Sequence, residues 1–316
     1  MLLFALAFHT MSALPPSRAT LGGSQMPSSF PRSADPAKFN TTLALFGMVL
    51  SQAAYCDDTA ALQAWTCAPC KRAAAMGLVP VSPVSVFDGR VGGFGKISDW
   101  GTRAYVAALD QDRIVVSFRG SDNLTNWLED FDIALQVEFE DACPTCQVHA
   151  GFFLSWMSLA RDVSQKVIEL KSQFPAADIL VTGHSLGAAQ AALAATHLYY
   201  REGLPVTHVY TYGQPRVGNA AFHQFYNNGT TDRQSGENGS SFRIVHYRDP
   251  VPLLPFQWMG YEHTSTEVWY SEDSSSFKVC ERLIVGEDPT CANSMPLNPL
   301  LSEQHCSYLG TDICDC

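Results

Sequence analysis

The sequence predicts an α/β fold, a mainly parallel central sheet with helices on both faces. Three observations predict it. Short strand-like runs alternate with helical patterns through the middle of the chain, which is the signature of βαβ units. The run ILVTG (179–183) is apolar up to Thr182, as expected of a strand buried on both faces. It leads directly into an alanine-rich helical stretch, Ser185 to Arg201.

The elements follow in chain order. MLLFALAFHTMSA opens with an apolar core of seven residues, too short to span a bilayer, and 1–13 reads as a signal peptide with a weak basic region. Residues 14–36 are rich in Pro, Ser and Gly without apolar periodicity, and are expected to be a flexible arm or propeptide. A single folded domain is expected over 37–316. Phe39 to Cys56 reads as a helix with Leu43, Phe46, Val49, Leu50 and Ala53 on one side. YVAALD (105–110) and RIVVSF (113–118) flank the turn at Asp110–Asp112 and read as a hairpin. Leu124, Trp127, Leu128 and Phe131 then fall at i, i+3, i+4 and i+7, the apolar face of a short helix. Gly151 to Phe174 is helical until Pro175, and Gly203 closes the helix that begins at Ser185. THVYTYG (207–213), a helix near Asn219–Tyr226 and FRIVHY (242–247) continue the alternation, with a polar loop at 229–241.

The bulk composition narrows the function. The 316 residues are 46% apolar and 16% charged, which describes a globular chain with ample core. A formal charge of −11 excludes a phosphate-binding, nucleic-acid role and gives no help towards anionic membranes, so any lipid contact must be apolar. Ten cysteines, an even number, fit five disulfides of an exported protein. Sequons at Asn40, Asn123, Asn228 and Asn238 agree with export as glycosylation candidates.

The chemistry concentrates in VTGHSLGAAQ (181–190). Gly183-His184-Ser185-Leu186-Gly187 fits G-x-S-x-G with a buried strand before it and a helix after it, the context that presents a nucleophile. The helix start supplies unpaired N–H groups beside the Ser185 hydroxyl. In the α/β-hydrolase fold an acid and then a histidine follow the serine in chain order. Asp249, just after the strand FRIVHY, is positioned as the acid, although Asp-Pro pairs also cap turns. Only His263 and His305 lie beyond it. His263 precedes a strand-like run and His305 lies in a late loop, which favours His305 as the base. His149 and His184 precede the acid.

FRGSDNLTNWLED, HAGFFLSW, VTGHSLGAAQAAL, YGQPRVGN, RDPVPLLP, HTSTEVWY and HCSYLG occur in the order found in fungal class 3 lipases of the extracellular triacylglycerol lipase type. The chain resembles this family over roughly 39–316. The resemblance implies Ser185 as nucleophile, Asp249 as acid and His305 as base. It implies Ser121 and Leu186 as the oxyanion-hole residues, through their backbone N–H groups. Residues of about 121–132 would form a lid whose apolar face is Leu124, Trp127, Leu128 and Phe131, with the Asn123 sequon at its start. The resemblance also implies bridges Cys67–Cys70, Cys143–Cys146 and Cys280–Cys291, and one from Cys56 to Cys314 or Cys316. The two CxxC pairs could instead hold zinc, a reading that their separation and the surrounding hydrolase motifs oppose. The expectation is a secreted, monomeric serine esterase needing no cofactor and meeting lipid or ester substrate at an oil–water interface. Alternatives are a feruloyl or other soluble carboxylesterase, or a phospholipase A1, of the same fold. A non-catalytic lipid-binding protein is the reading from another class.

Overall fold

The computed structural model describes residues 39–89, 101–110, 112–121, 136–230, 240–281, 283, 286–298 and 303–316. The expected signal peptide and arm, four lid residues (Leu124, Trp127, Leu128, Phe131) and two sequons (Asn123, Asn238) lie outside the described residues. Three helices come first: α1 (Thr41–Ala53), α2 (Thr59–Gln63) and α3 (Ala68–Ala75). Asn40 starts α1, its Oδ1 accepting from the N–H groups of Thr42 and Leu43 at 2.9 and 3.1 Å. Strands β1 (Ser85–Gly89), β2 (Thr102–Leu109) and β3 (Arg113–Phe118) form an antiparallel meander. A separate hairpin, β4 (Gln136–Glu140) and β5 (Cys143–His149), leads into α4 (Ala150–Gln173).

The remaining chain alternates as β6 (Asp178–His184), α5 (Leu186–Tyr200), β7 (His208–Tyr212), α6 (Ala220–Thr230), β8 (Ser240–His246), β9 (Thr266–Tyr270) and β10 (Phe277–Val279). It ends with a one-turn helix α7 (Glu303–Cys306) and a small pair, β11 (Ser307–Tyr308) and β12 (Thr311–Asp312). The eight-stranded sheet has the order β1-β2-β3-β6-β7-β8-β9-β10. Strands β3, β6, β7, β8 and β9 run parallel, and the pairs at each edge are antiparallel.

Period-two alternation builds a core on each face of the sheet. On β2, Ala104, Val106 and Ala108 join the core under α4, α5 and α6. Tyr105, Ala107 and Leu109 join the opposite core under α1 and α3. Helix α5 is buried from Leu186 to Leu198, so its alanines let it lie close against the strands.

All ten cysteines are paired: Cys56–Cys316, Cys67–Cys70, Cys143–Cys146, Cys280–Cys291 and Cys306–Cys314. Cys56 therefore joins Cys316 rather than Cys314.

Candidate active site

Parallel strands deliver their C-terminal ends to one edge, and the loops beyond those ends carry the polar residues of interest. Ser185 follows β6 with φ 58° and ψ −125°, a conformation that non-glycine residues adopt only when the surroundings enforce it. The flanking glycines explain the enforcement. A Cβ on Gly183 would stand 2.3 Å from the Gly187 carbonyl oxygen, and one on Gly187 would stand 2.3 Å from that of Phe118. Only bare backbone allows strand, turn and helix to approach so closely. Ser185 is 2% exposed and caps the N-terminus of α5, its carbonyl accepting from the N–H groups of Ala188 and Ala189 at 3.0 and 3.3 Å.

Parallel pairing of Phe118 with Gly183 carries the chain beyond β3 alongside Ser185. A Cβ on Gly120 would lie 3.1 Å from Ser185 Cβ. Ser121, the next residue, is thereby set beside the nucleophile candidate, as Leu186 is by its place in the chain.

Asp249 and His305 meet although 56 residues separate them. His305 Nδ1 lies 2.8 Å from Asp249 Oδ2 and 3.0 Å from Oδ1. A carboxylate only accepts, so Nδ1 carries the proton and Nε2 presents a lone pair. Both side chains are buried, at 1% and 0% exposure. Asp249 Oδ1 also accepts from the Val251 N–H at 2.9 Å, and Oδ2 accepts from the Tyr308 hydroxyl. Burial and the Asp249 charge push that phenol well above its ordinary value, so it remains a donor. Among the described residues, Ser185 Oγ and His305 Nε2 are both buried without a hydrogen-bond partner. The structure thus joins Asp249 to His305 but forms no direct bond between Ser185 and His305.

His184 braces His305 from behind. Its ring packs on that of His305 with centroids 4.4 Å apart. Its Nε2 donates to the His305 carbonyl at 2.8 Å, which leaves Nδ1 to accept from the Tyr55 hydroxyl at 2.6 Å. Burial, and then the charge of His305, hold His184 well below its usual value, so the brace is neutral. His149 and His263 stand apart. His149 precedes α4, with its ring against Phe152 and Tyr261. His263 Nε2 donates to the Pro252 carbonyl at 2.7 Å, and burial followed by the Arg243 charge lowers its value well below normal.

Sequence reasoning missed a polar clamp on the loop that carries Asp249. Arg216, in the QPRVGN stretch, is 2% exposed and ion-paired to Glu287 at 2.7 Å. Its Nη1 donates to the carbonyls of Leu253 (2.6 Å) and Pro255 (2.8 Å), and its backbone N–H donates to that of Leu254 at 2.8 Å. With His263 on Pro252, four consecutive carbonyls are fastened. An arginine between apolar residues is a signal for such a pair, but nothing local points to its partner 71 residues away. Tyr308 was readable only as part of HCSYLG, and Tyr55 only as the neighbour of Cys56.

Three groups of potential metal ligands occur among the described residues, around Cys56, Glu267 and Cys306. Each includes cysteines consumed in disulfides, which leaves too few donors for a metal. Of the sequons, Asn40 and Asn228 are exposed. No helix among the described residues is long and apolar enough to cross a membrane.

A parallel sheet, a serine on a strained strand-to-helix turn and a histidine–carboxylate pair on later loops define an α/β-hydrolase fold with a serine-hydrolase site. Residues 115–259 match the family model for lipase (class 3). A lipase of Rhizomucor miehei is 32% identical over 274 residues, covering 84% of this chain and 68% of that protein. A secreted mono- and diacylglycerol lipase 1 of Fusarium solani is 39% identical over 189 residues, covering 57% of this chain. The chain spans about half the length of that relative, 53%. The solved triacylglyceride lipase of Rhizomucor miehei superposes with a TM-score of 0.71 at 29% identity, over 90% of this chain and 98% of that one. The chain belongs to the class 3 lipase family.

Proposed function

We propose that this protein is a secreted, monomeric serine hydrolase that cleaves the carboxylic esters of acylglycerols through an acyl-enzyme intermediate. The His305–Asp249 pair beside the strained Ser185 turn is the observation that carries this reading. His305 Nε2 accepts the Ser185 proton as Oγ attacks the ester carbonyl. Asp249 holds the ring and stabilises the imidazolium that forms. The backbone N–H groups of Ser121 and Leu186 receive the oxyanion, each such donor being worth about 3 kcal/mol in the transition state. His305 then protonates the departing glycerol oxygen, and water, activated by the same histidine, releases the fatty acid. Supporting the substrate class are the relatives named as mono-, di- and triacylglycerol lipases, and supporting export are the five disulfides and the relatives named as secreted.

The test is a panel of tri-, di- and monoacylglycerols, a phospholipid and methyl ferulate, run on the wild type and Ser185→Ala. Acylglycerol hydrolysis that disappears in Ser185→Ala is expected. Equal rates in the two proteins would overturn the enzyme reading, and methyl ferulate as the fastest substrate would overturn the acylglycerol assignment. For the lid at 121–132, the rate should rise sharply as a partly soluble ester passes its solubility limit. Saturation below that limit, with no response to emulsion, would refute it.

A further inference from the structure

Trp258 is 79% exposed, while the other large exposed apolar residues among those described lie between 37% and 49%. Isolated apolar side chains on a surface are ordinary. Trp258 differs in how it is held. Its indole stacks on Phe256, with centroids 5.7 Å apart and planes 15° from parallel. The two rings occupy a short turn whose N–H groups close back on it, Met259 to Phe256 at 3.0 Å and Gly260 to Gln257 at 2.9 Å. That turn grows directly from the clamped carbonyls of Pro252 to Pro255. A buried ion pair thus supports a turn that displays a largely exposed tryptophan.

Location gives the display a direction. Asp249 and the turn both follow β8. Glu262 bridges to Gly218 beyond β7, and Gly218 bridges to Val148, next to the start of α4. The Tyr261 ring lies 6.3 Å from that of His149. The Phe256–Trp258 pair therefore projects from the same sheet edge as Ser185, Asp249 and His305.

We propose that Phe256 and Trp258 form a rigid anchor that seats the catalytic edge on an uncharged acylglycerol surface. This rests on the function proposed above. Indole suits such a boundary, being an apolar body with one polar N–H. A net charge of −11 repels anionic lipid, so the contact has to be apolar, and an uncharged ester surface is the partner that fits. Pre-organisation adds to the effect, because a clamped side chain loses little freedom on binding.

The experiment separates anchoring from turnover. Partition onto a gum-arabic-stabilised trioleoylglycerol emulsion is measured for Ser185→Ala, which consumes no lipid, and for Ser185→Ala with Trp258→Ala or Trp258→Phe. Removing the indole should weaken partition roughly 10- to 100-fold, and Phe should restore most of it. Vesicles of dioleoylphosphatidylglycerol should bind Ser185→Ala poorly, and tighter binding there than on the emulsion overturns the uncharged surface as the partner. Unchanged partition at an unchanged thermal midpoint overturns the anchor. So does an equal loss in turnover of a dissolved short-chain ester by Trp258→Ala, which would put the ring in the acyl site. A change in self-association by sedimentation, without a change in partition, would assign the patch to a second copy of the chain. A wild type that hydrolyses no ester would defeat the proposed function but leave the partition result standing.

Discussion

Replacing Arg216 by Met tests whether the clamp holds the loop that carries Asp249. The two partners are 2% and 6% exposed, so the substitution leaves the Glu287 carboxylate buried without its guanidinium. Breaking a buried pair on one side typically costs about 3–5 kcal/mol. The carbonyls of Leu253 and Pro255 also lose their donor, which places the expected loss towards the upper end. In a domain of this size that corresponds to a fall in melting temperature of roughly 10 °C or more. Its pH dependence has a defined sign. Burial alone would raise Glu287, but it is outweighed by His263 when protonated and by Arg216 and Arg243, which hold the carboxyl well below its ordinary value of 4.5. A depressed carboxyl contributes stability that is fully present above the unfolded value and is lost as pH falls through the folded one. The gap between wild type and Arg216→Met should therefore be full at neutral pH and narrow on acidification, as Glu287 in the variant protonates and ceases to be a buried charge. Urea denaturation with disulfides intact, across pH 3 to 8, measures it. Arg216→Met with Glu287→Met should recover much of the loss, because apolar replacement of both partners removes the desolvation penalty. A single-variant loss below about 1 kcal/mol, or a double variant no more stable than Arg216→Met, would refute the reasoning.

His305→Ala should lower kcat by about 10⁴-fold or more, whereas His263→Ala should retain much of the turnover, since His263 only secures the Pro252 carbonyl. Comparable losses in two well-folded variants, read by ester titration, would undo the assignment of the base. Gly187→Ala would drive a Cβ to 2.3 Å from the Phe118 carbonyl oxygen, backbone against backbone. Its cost is expected at about 3 kcal/mol, seen as a lowered urea midpoint. Replacing Cys306 and Cys314 together by Ser opens a bridge with a sequence separation of 8. The loss should be about 2–3 kcal/mol by the chain-entropy relation. With His305 next to the bridge, kcat should fall more than KM rises in steady-state assays.

The alternation of strands and helices was legible because buried parallel strands and amphipathic helices leave periodic marks. RIVVSF was read at 113–118, where β3 lies, and ILVTG sits inside β6. The strand β1 and the hairpin of β4 and β5 were not read. SVFDG and CPTCQVH are short and mixed in polarity, and they become strands through pairing that no local pattern encodes. Helices α2 and α3 are short and are capped by Asp58 and Cys67, which a reading based on long apolar stripes passes over. At the site, Ser185 announced itself through two glycines that sterics require. The residues that hold Asp249 and its loop were silent, because Tyr308, Arg216 and Glu287 act through contacts between segments far apart in the chain. His184 was visible as a neighbour of Ser185, but its link to the His305 carbonyl was not.

The His305 loop has a consequence for the order of assembly. Residues 303–316 cross back to the first helix, where the Gln52 side chain donates to the carbonyls of Asp312 and Asp315 at 2.8 and 2.6 Å. The bridge from Cys56 to Cys316 closes the same junction. The eight-stranded sheet uses none of these residues, and their share of the two cores is Tyr308 and Ile313, with Leu309 and Cys314 packed against the same core. A chain emerging during synthesis can therefore pair its eight strands and form its serine turn before His305 is in place. On the proposed mechanism, ester cleavage then awaits the docking of residues 303–316 against α1, which makes turnover contingent on a contact that the scaffold itself does not supply.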